Sequence, residues 1–427
     1  MSAAQHSSAG FDWQQGWRYG LMGLPLAFVA LPLYVLLPNH YARSFGVPLA
    51  ALGALLLGTR LFDALIDPLL GRLSDRLFAR SPRAVLGAAG LAAMLLALGF
   101  VLLFFPPLRS SDGLLLWAGA SLLLTYAAFS ALSVIHQSWG AMLGGDEVQR
   151  SRIVAWREGL GLAGVILASI TPSVLGLPAT TAIFVLALVL AWLAWSSGRP
   201  PQTALGGETA LPNQASSLWL PFSRPAFRAL LLVFIVNGIA SAVPATLLLF
   251  FIQDCLQAPE AMQPLFLGSY FFCAALSIPL WLRLVSRFGL ARTWGLGMLL
   301  SLGVFVFAAR LGAGDIAAFV LVCALSGVGL GADLALPGAM LAGGIANSGD
   351  RGRFEGAYFG LWNFASKLNL ALAAGLALPA LGALGYVPGS RDAQALNMLS
   401  AAYCLLPCAL KLLAATLLYT LIIRRNP

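Results

Sequence analysis

The chain has 427 residues, of which 59% are apolar and 10% charged, with a mean hydropathy of +0.86. An ordinary soluble domain carries about 25% charged residues, so this composition excludes a disordered chain, a coiled coil and a water-soluble enzyme, and leaves an integral membrane protein. The net charge of +9 does not indicate nucleic acid, because it comes from arginines set between apolar segments and from only two lysines, Lys367 and Lys411.

Residues 1–17 are polar and lack the basic, apolar and cleavage regions of a signal peptide, so the first apolar stretch is expected to be a permanent crossing. Twelve apolar segments follow, each near the roughly 20 residues that span a bilayer. They run 18–39, 47–70, 84–105, 114–141, 156–175, 178–197, 227–252, 263–284, 293–311, 315–340, 355–385 and 397–423. The longest polar interval, 198–224, holds Pro200, Pro201, Gly206 and Gly207 and reads as a cytoplasmic linker. It divides the chain into a six-helix bundle at 1–197 and another at 225–427. With both termini inside, eighteen arginines fall in inner segments and four in outer ones. That bias orients the protein in a plasma or inner membrane with cytoplasmic termini. The loop Gly71-Arg72-Leu73-Ser74-Asp75-Arg76 has a weak echo half a chain later at Leu282–Arg287, as an internal repeat predicts.

Charged side chains inside the apolar segments are costly and are functional hypotheses by default. Arg60, Asp63 and Asp67 are spaced by three and four residues, which puts them on one helical face turned into the bundle. Two carboxylates one turn apart either share a proton or hold a cation, or else form a structural network with arginine. Pro68 deprives the Ala64 carbonyl of its usual donor and adds an oxygen to that site. In the second half, Asp333 lies in the tenth segment. Lys367 shares a face with Asn363, next to Trp362, in the eleventh. Lys367 is expected to line a cavity, and Asp333 either lines it too or partners the lysine. Lys411 in the twelfth segment has no evident role. His136 lies near Ser133 and Gln137 on the fourth segment and is either a packed histidine or a proton relay. Gly159-Leu160-Gly161-Leu162-Ala163-Gly164 fits GxGxxG but lies within an apolar helix, where close helix packing explains it. No nucleotide-binding loop, metal-ligand cluster or hydrolase motif is evident, and five scattered cysteines give no disulfide framework.

Twelve crossings, the six-plus-six division and the Gly71–Arg76 loop resemble the major facilitator superfamily. The run from Arg60 to Gly71, the stretch Arg150-Ser151-Arg152 through Trp156-Arg157, and Gly352-Arg353-Phe354 through Lys367 resemble the glycoside–pentoside–hexuronide:cation symporter family. The resemblance implies cation-coupled transport of a small solute by alternating access. It makes Asp63 and Asp67 the coupling pair, with Ser130 assisting. Beside that pair, the residues themselves offer Arg60, Asn363, Trp362, Asp333, Ser133, His136, Gln137, Arg157 and Lys367 as candidate substrate or charge-balance residues. Gly71, Asp75 and Arg76 become the gating motif. The family's asparagine before the second aspartate is Ile66 here, which removes an oxygen and favours H+ over Na+ as the coupling ion. Its sugar-binding carboxylates fall at Ala27 and Ser133, and the acidic positions after helix ten at Gly343 and Gly344. An amphipathic anion such as a lysophospholipid, meeting Lys367, is therefore an alternative substrate, and a receptor or assembly protein with the same fold is an alternative function. No cofactor or metal is expected beyond the coupling ion. The expected partners are the solute, a monovalent cation and the bilayer, with the chain a monomer and not an enzyme.

Overall fold

A computed structural model of the protein describes residues 11–108, 111–201, 219–383, 385–387, 389 and 391–425. Among these, twelve helical segments follow one another: α1 (13–45), α2 (Leu49–Arg80), α3 (Pro82–Phe104), α4 (Ser111–Leu143), α5 (147–175), α6 (177–196), α7 (Pro225–Cys255), α8 (263–288), α9 (290–308), α10 (Ile316–Asn347), α11 (Glu355–Ala383) and α12 (Ala393–Ile423). Eight stretches among the described residues are long and apolar enough to cross a membrane, with 263–308 counted once. The fold is all-α and membrane-spanning. Residues 202–218, the centre of the expected linker, lie outside the described residues.

The boundaries follow local chemistry. Asp12 caps α1 by accepting the Gln15 N–H at 2.8 Å. The first crossing is built from short pieces, 13–20, 23–31, 32–36 and 37–45, because Pro25, Pro32 and Pro38 each remove a backbone donor. α2 runs ten residues past the predicted end at Leu70, so Gly71–Arg76 is helix and not loop. Nothing in that stretch breaks a helix before Ser81, which caps α3 by accepting the Ala84 N–H at 3.1 Å. The echo at Leu282–Arg287 is likewise helical, and the chain turns only at Gly289 (φ 77°). The α5–α6 turn is made at Gly176 (φ 79°).

Three apolar cores organise the bundle. One draws only on residues 19–195, and another, far from it, only on 242–404. The third mixes both halves, setting Val134, Ala141 and Val154 against Ala335, Ala339 and Tyr358. It lies at the end that carries both described termini, called here the basic end. Along the rest of the interface α2 faces α11 and α5 faces α8 and α10. The six-residue glycine run packs closely, as expected: a Cβ on Gly164 would lie 2.1 Å from the Leu24 carbonyl oxygen of α1.

Candidate functional site

Asp63 and Asp67 are buried on the α2 face that meets α11, and Ser130 reaches them from α4. Lys367 enters from α11. Its ammonium Nζ lies 2.7 Å from Asp63 Oδ1, 2.9 and 3.0 Å from the two Asp67 oxygens, 2.7 Å from Ser130 Oγ and 3.2 Å from the Asp63 carbonyl. Ser130 also donates to Asp63 Oδ1 at 2.7 Å. Five oxygens of the first half thus surround one cationic nitrogen of the second. The two Asp67 oxygens are held differently: Lys367 hydrogen bonds to Oδ1, and the buried Oδ2 is held by the ion pair alone. A carboxylate oxygen held by charge alone is the one best placed to take a proton. The lysine side chain keeps 22% exposure, so the site touches solvent from the second half.

Two expectations need correction here. Arg60 is exposed and not turned into the bundle; the cation inside the cage is Lys367. The backbone oxygen in the cage belongs to Asp63 and not to Ala64.

A second lysine–carboxylate cluster lies wholly within the second half. Asp333 does not partner Lys367; its Oδ2 is 2.7 Å from Lys411 Nζ. Asn237 donates to Asp333 Oδ1 at 3.0 Å and accepts from Lys411 at 2.7 Å. The Trp294 indole donates to the same Oδ1 at 2.8 Å, and Ser241 approaches Oδ2 at 3.4 Å. These contacts tie α7, α9, α10 and α12. A cavity of about 170 Å³ opens beside them, walled by Phe266, Tyr270, Phe271, Phe305 and Tyr403. Neither the role of Lys411 nor Asn237 as a member of this cluster was evident from sequence.

The third cluster closes the basic end. Asp75 accepts the Gly356 and Ala357 N–H groups at 2.6 and 2.9 Å, so a carboxylate from α2 caps the N-terminus of α11. Gly71 permits the approach: a Cβ there would lie 2.2 Å from the Gly356 carbonyl oxygen. Arg351 donates to the Met142 carbonyl at 3.1 Å, and Glu147 accepts the Leu290 N–H at 3.0 Å. Each of these contacts joins one half to the other. Arg76, the third motif residue, is exposed and takes no part.

The other candidates are scattered. His136 is fully buried, stacked on Tyr19 at 4.2 Å and bonded through Nε2 to the Tyr19 carbonyl at 2.8 Å, while its Nδ1 has no partner. Arg157 is paired with its neighbour Glu158 and, with Gln137 and Tyr19, lines a narrow cleft behind the closure. Trp362 stacks on Phe234 at 3.7 Å. Asn363 is half-buried and Ser133 buried, and neither joins the cage.

Comparison with known proteins follows from this geometry. The family model described as MFS/sugar transport protein matches residues 18–425. An uncharacterized symporter of Bacillus subtilis, YjmB, is 25% identical over 421 residues, covering 92% of this chain and 88% of that one. Two Escherichia coli proteins match about a third of each chain: the putative glycoside/cation symporter YagG at 28% identity over 155 residues and the inner membrane symporter YicJ at 26% over 159. Among solved structures, a bacterial homologue of the iron transporter ferroportin in an outward-facing state superposes with a TM-score of 0.69 at 18% identity, covering 96% of this chain and 98% of that one. The Escherichia coli fucose:proton symporter FucP superposes with a TM-score of 0.65 at 15% identity, covering 94% and 97%. These two likenesses concern the fold.

Proposed function

We propose, for a chain that belongs to the MFS/sugar transport protein family, that it is a cation-coupled symporter of a small organic solute, sugar- or glycoside-like or anionic, working by alternating access. The observation that carries this reading is the cage itself: one ammonium from α11 held by two carboxylates and a hydroxyl from the other half. Lys367 occupies the position a coupling cation would need. Two carboxylates around one ammonium leave a net negative charge, and Asp67 Oδ2, paired with the lysine but accepting no hydrogen bond, is the acceptor proposed for it. A proton arriving there neutralises Asp67 and loosens its hold on Lys367. The lysine is then free to meet a hydroxyl or acid group of the solute. Sodium fits less well, since it needs several oxygens at once and the ammonium already uses them. Proton is therefore the proposed coupling ion.

We place the basic end in the cytoplasm, on the arginine bias, with 1–197 and 225–427 as the moving halves and the monomer in an inner or plasma membrane as the working unit. Closure at that end makes this the outward-facing state. The aromatic cavity beside Asp333 supports a second reading of the substrate, an amphipathic anion whose apolar part enters the second half.

The experiment is ligand-induced thermal stabilisation of the purified protein with sugars, glucuronides and lysophospholipids, with and without Na+ at two pH values. Stabilisation by a sugar or glucuronide that needs no Na+ and is lost in Asp67→Asn is the expected result. A Na+ requirement overturns the proton assignment. A shift with the lysophospholipid alone selects the amphipathic substrate. No shift with any of them, together with unimpaired function of the Asp63→Asn/Asp67→Asn protein, would overturn the transporter reading in favour of a receptor.

A further inference from the structure

The basic end holds another concavity, off the axis of the cage, with a volume of about 530 Å³. Its walls come from the start of α5, the α8–α9 turn and the ends of α10 and α12. Arg150 reaches it from the first half and Arg292 from the second, and Glu147 is the acid on its rim. Much of the remaining wall is apolar, including Phe288, Met340 and Leu421. Phe288 is 47% exposed.

Arg150 is the group without an explanation. Its Nε is buried and has no hydrogen-bond partner among the described residues. A guanidinium N–H hidden from water without an acceptor costs about 1–3 kcal/mol. Its charged neighbours are Glu147, Asp146 and Arg351, and Glu147 already accepts the Leu290 N–H. Across the concavity α10 shows bare backbone. A Cβ on Gly343 would lie 3.2 Å from the Arg150 guanidinium, and one on Gly344 would meet nothing within 4 Å. The wall is therefore open at Gly344, beside an arginine whose Nε lacks an acceptor.

We infer that this concavity binds the phosphate headgroup of an anionic phospholipid from the adjoining leaflet, between Arg150 and Arg292, with its acyl chain laid along Phe288 and Leu421. Arginine presents several N–H groups in a planar fork that matches a phosphate. Basic pockets between transmembrane helices at the cytoplasmic side are suited to anionic headgroups. Because its two arginines come from opposite halves, an occupied site adds a tie to the closure already made by Glu147 and Leu290. The inference takes from the proposed function only the leaflet, not the symport.

The test uses the full-length purified protein in detergent, titrated separately with phosphatidylglycerol, phosphatidylcholine and glycerol phosphate. Melting temperature and native mass spectrometry are the readouts. Phosphatidylglycerol is expected to raise the melting temperature and remain bound, and phosphatidylcholine to do neither. Gly344→Asp sets a carboxylate in the open wall and should weaken apparent affinity by about fivefold or more, taking roughly 1 kcal/mol per charge near a lipid surface. Gly344→Asn, the same size without the charge, should behave as wild type. Arg292→Gln should weaken binding in the same direction. An equal response from Gly344→Asp and wild type overturns the site. An equal response to glycerol phosphate and phosphatidylglycerol makes it a soluble-anion site and overturns the lipid. Asp67→Asn should retain the lipid response, so loss of symport and loss of this site are read separately.

Discussion

The protein buries two lysine–carboxylate clusters, and they are built for opposite purposes. Lys411 is 5% exposed, and Asp333 receives donors from Asn237 and Trp294 as well as from the lysine, all within one half. Lys367 is 22% exposed, spans both halves and holds one carboxylate oxygen of Asp67 by the ion pair alone, with no hydrogen bond to it. A saturated cluster inside a rigid body has no reason to open. An unsaturated one across a moving interface has to be remade in every cycle. On the proposed function, the difference sets a structural ion pair apart from a working one, although both look alike as isolated charges in apolar segments.

That contrast can be broken in several ways. A large effect on stability is expected from Lys411→Met, which strands the Asp333 carboxylate, 14% exposed, and should cost about 3 kcal/mol; the melting temperature of the purified protein reports it. Adding Asp333→Leu should return much of the loss, since replacing both charges by apolar groups is often near neutral. If the pair does not recover, Asp333 does more than lock helices. Gly71→Val comes next. Its branched side chain cannot fit against the Gly356 carbonyl and should open the basic end. A cysteine placed at Ala141 would then be alkylated faster from that side, and an unchanged rate would refute the seal. Asp75→Asn should have the same direction with a smaller effect, of about 1 kcal/mol, because it keeps the size of the α11 cap but loses its charge. Lys367→Met should abolish the pH dependence of solute binding. Ser130→Ala should have the smallest effect, about 1 kcal/mol for one neutral hydrogen bond, read as a modest fall in solute affinity.

Much of this was legible in the sequence, for identifiable reasons. Asp63 and Asp67 one turn apart in an apolar segment could only face inward, and the structure buries both. The twelve segments and the position of Lys367 followed from hydropathy. What could not be read was the pairing of charges between helices distant in sequence. Asp333 and Lys411 are 78 residues apart, and nothing local says that α10 and α12 meet there while α11 turns the other way. Arg60 was misplaced because spacing fixes where a Cβ points, not where a long stem carries its charge. The end of α2 was missed because hydropathy falls at Leu70 while the helix-forming residues continue to Arg80.

The spacing along α2 has a further consequence. Asp63, Asp67, Gly71 and Asp75 recur every four residues, so cage and cap lie on one i±4 ridge, about 12 Å from Asp67 to Asp75 at 1.5 Å per residue. They are mechanically in phase. One residue inserted after Leu69 would leave the cage intact and rotate Asp75 by about 100° away from α11. The cage would then be out of phase with the closure at the basic end.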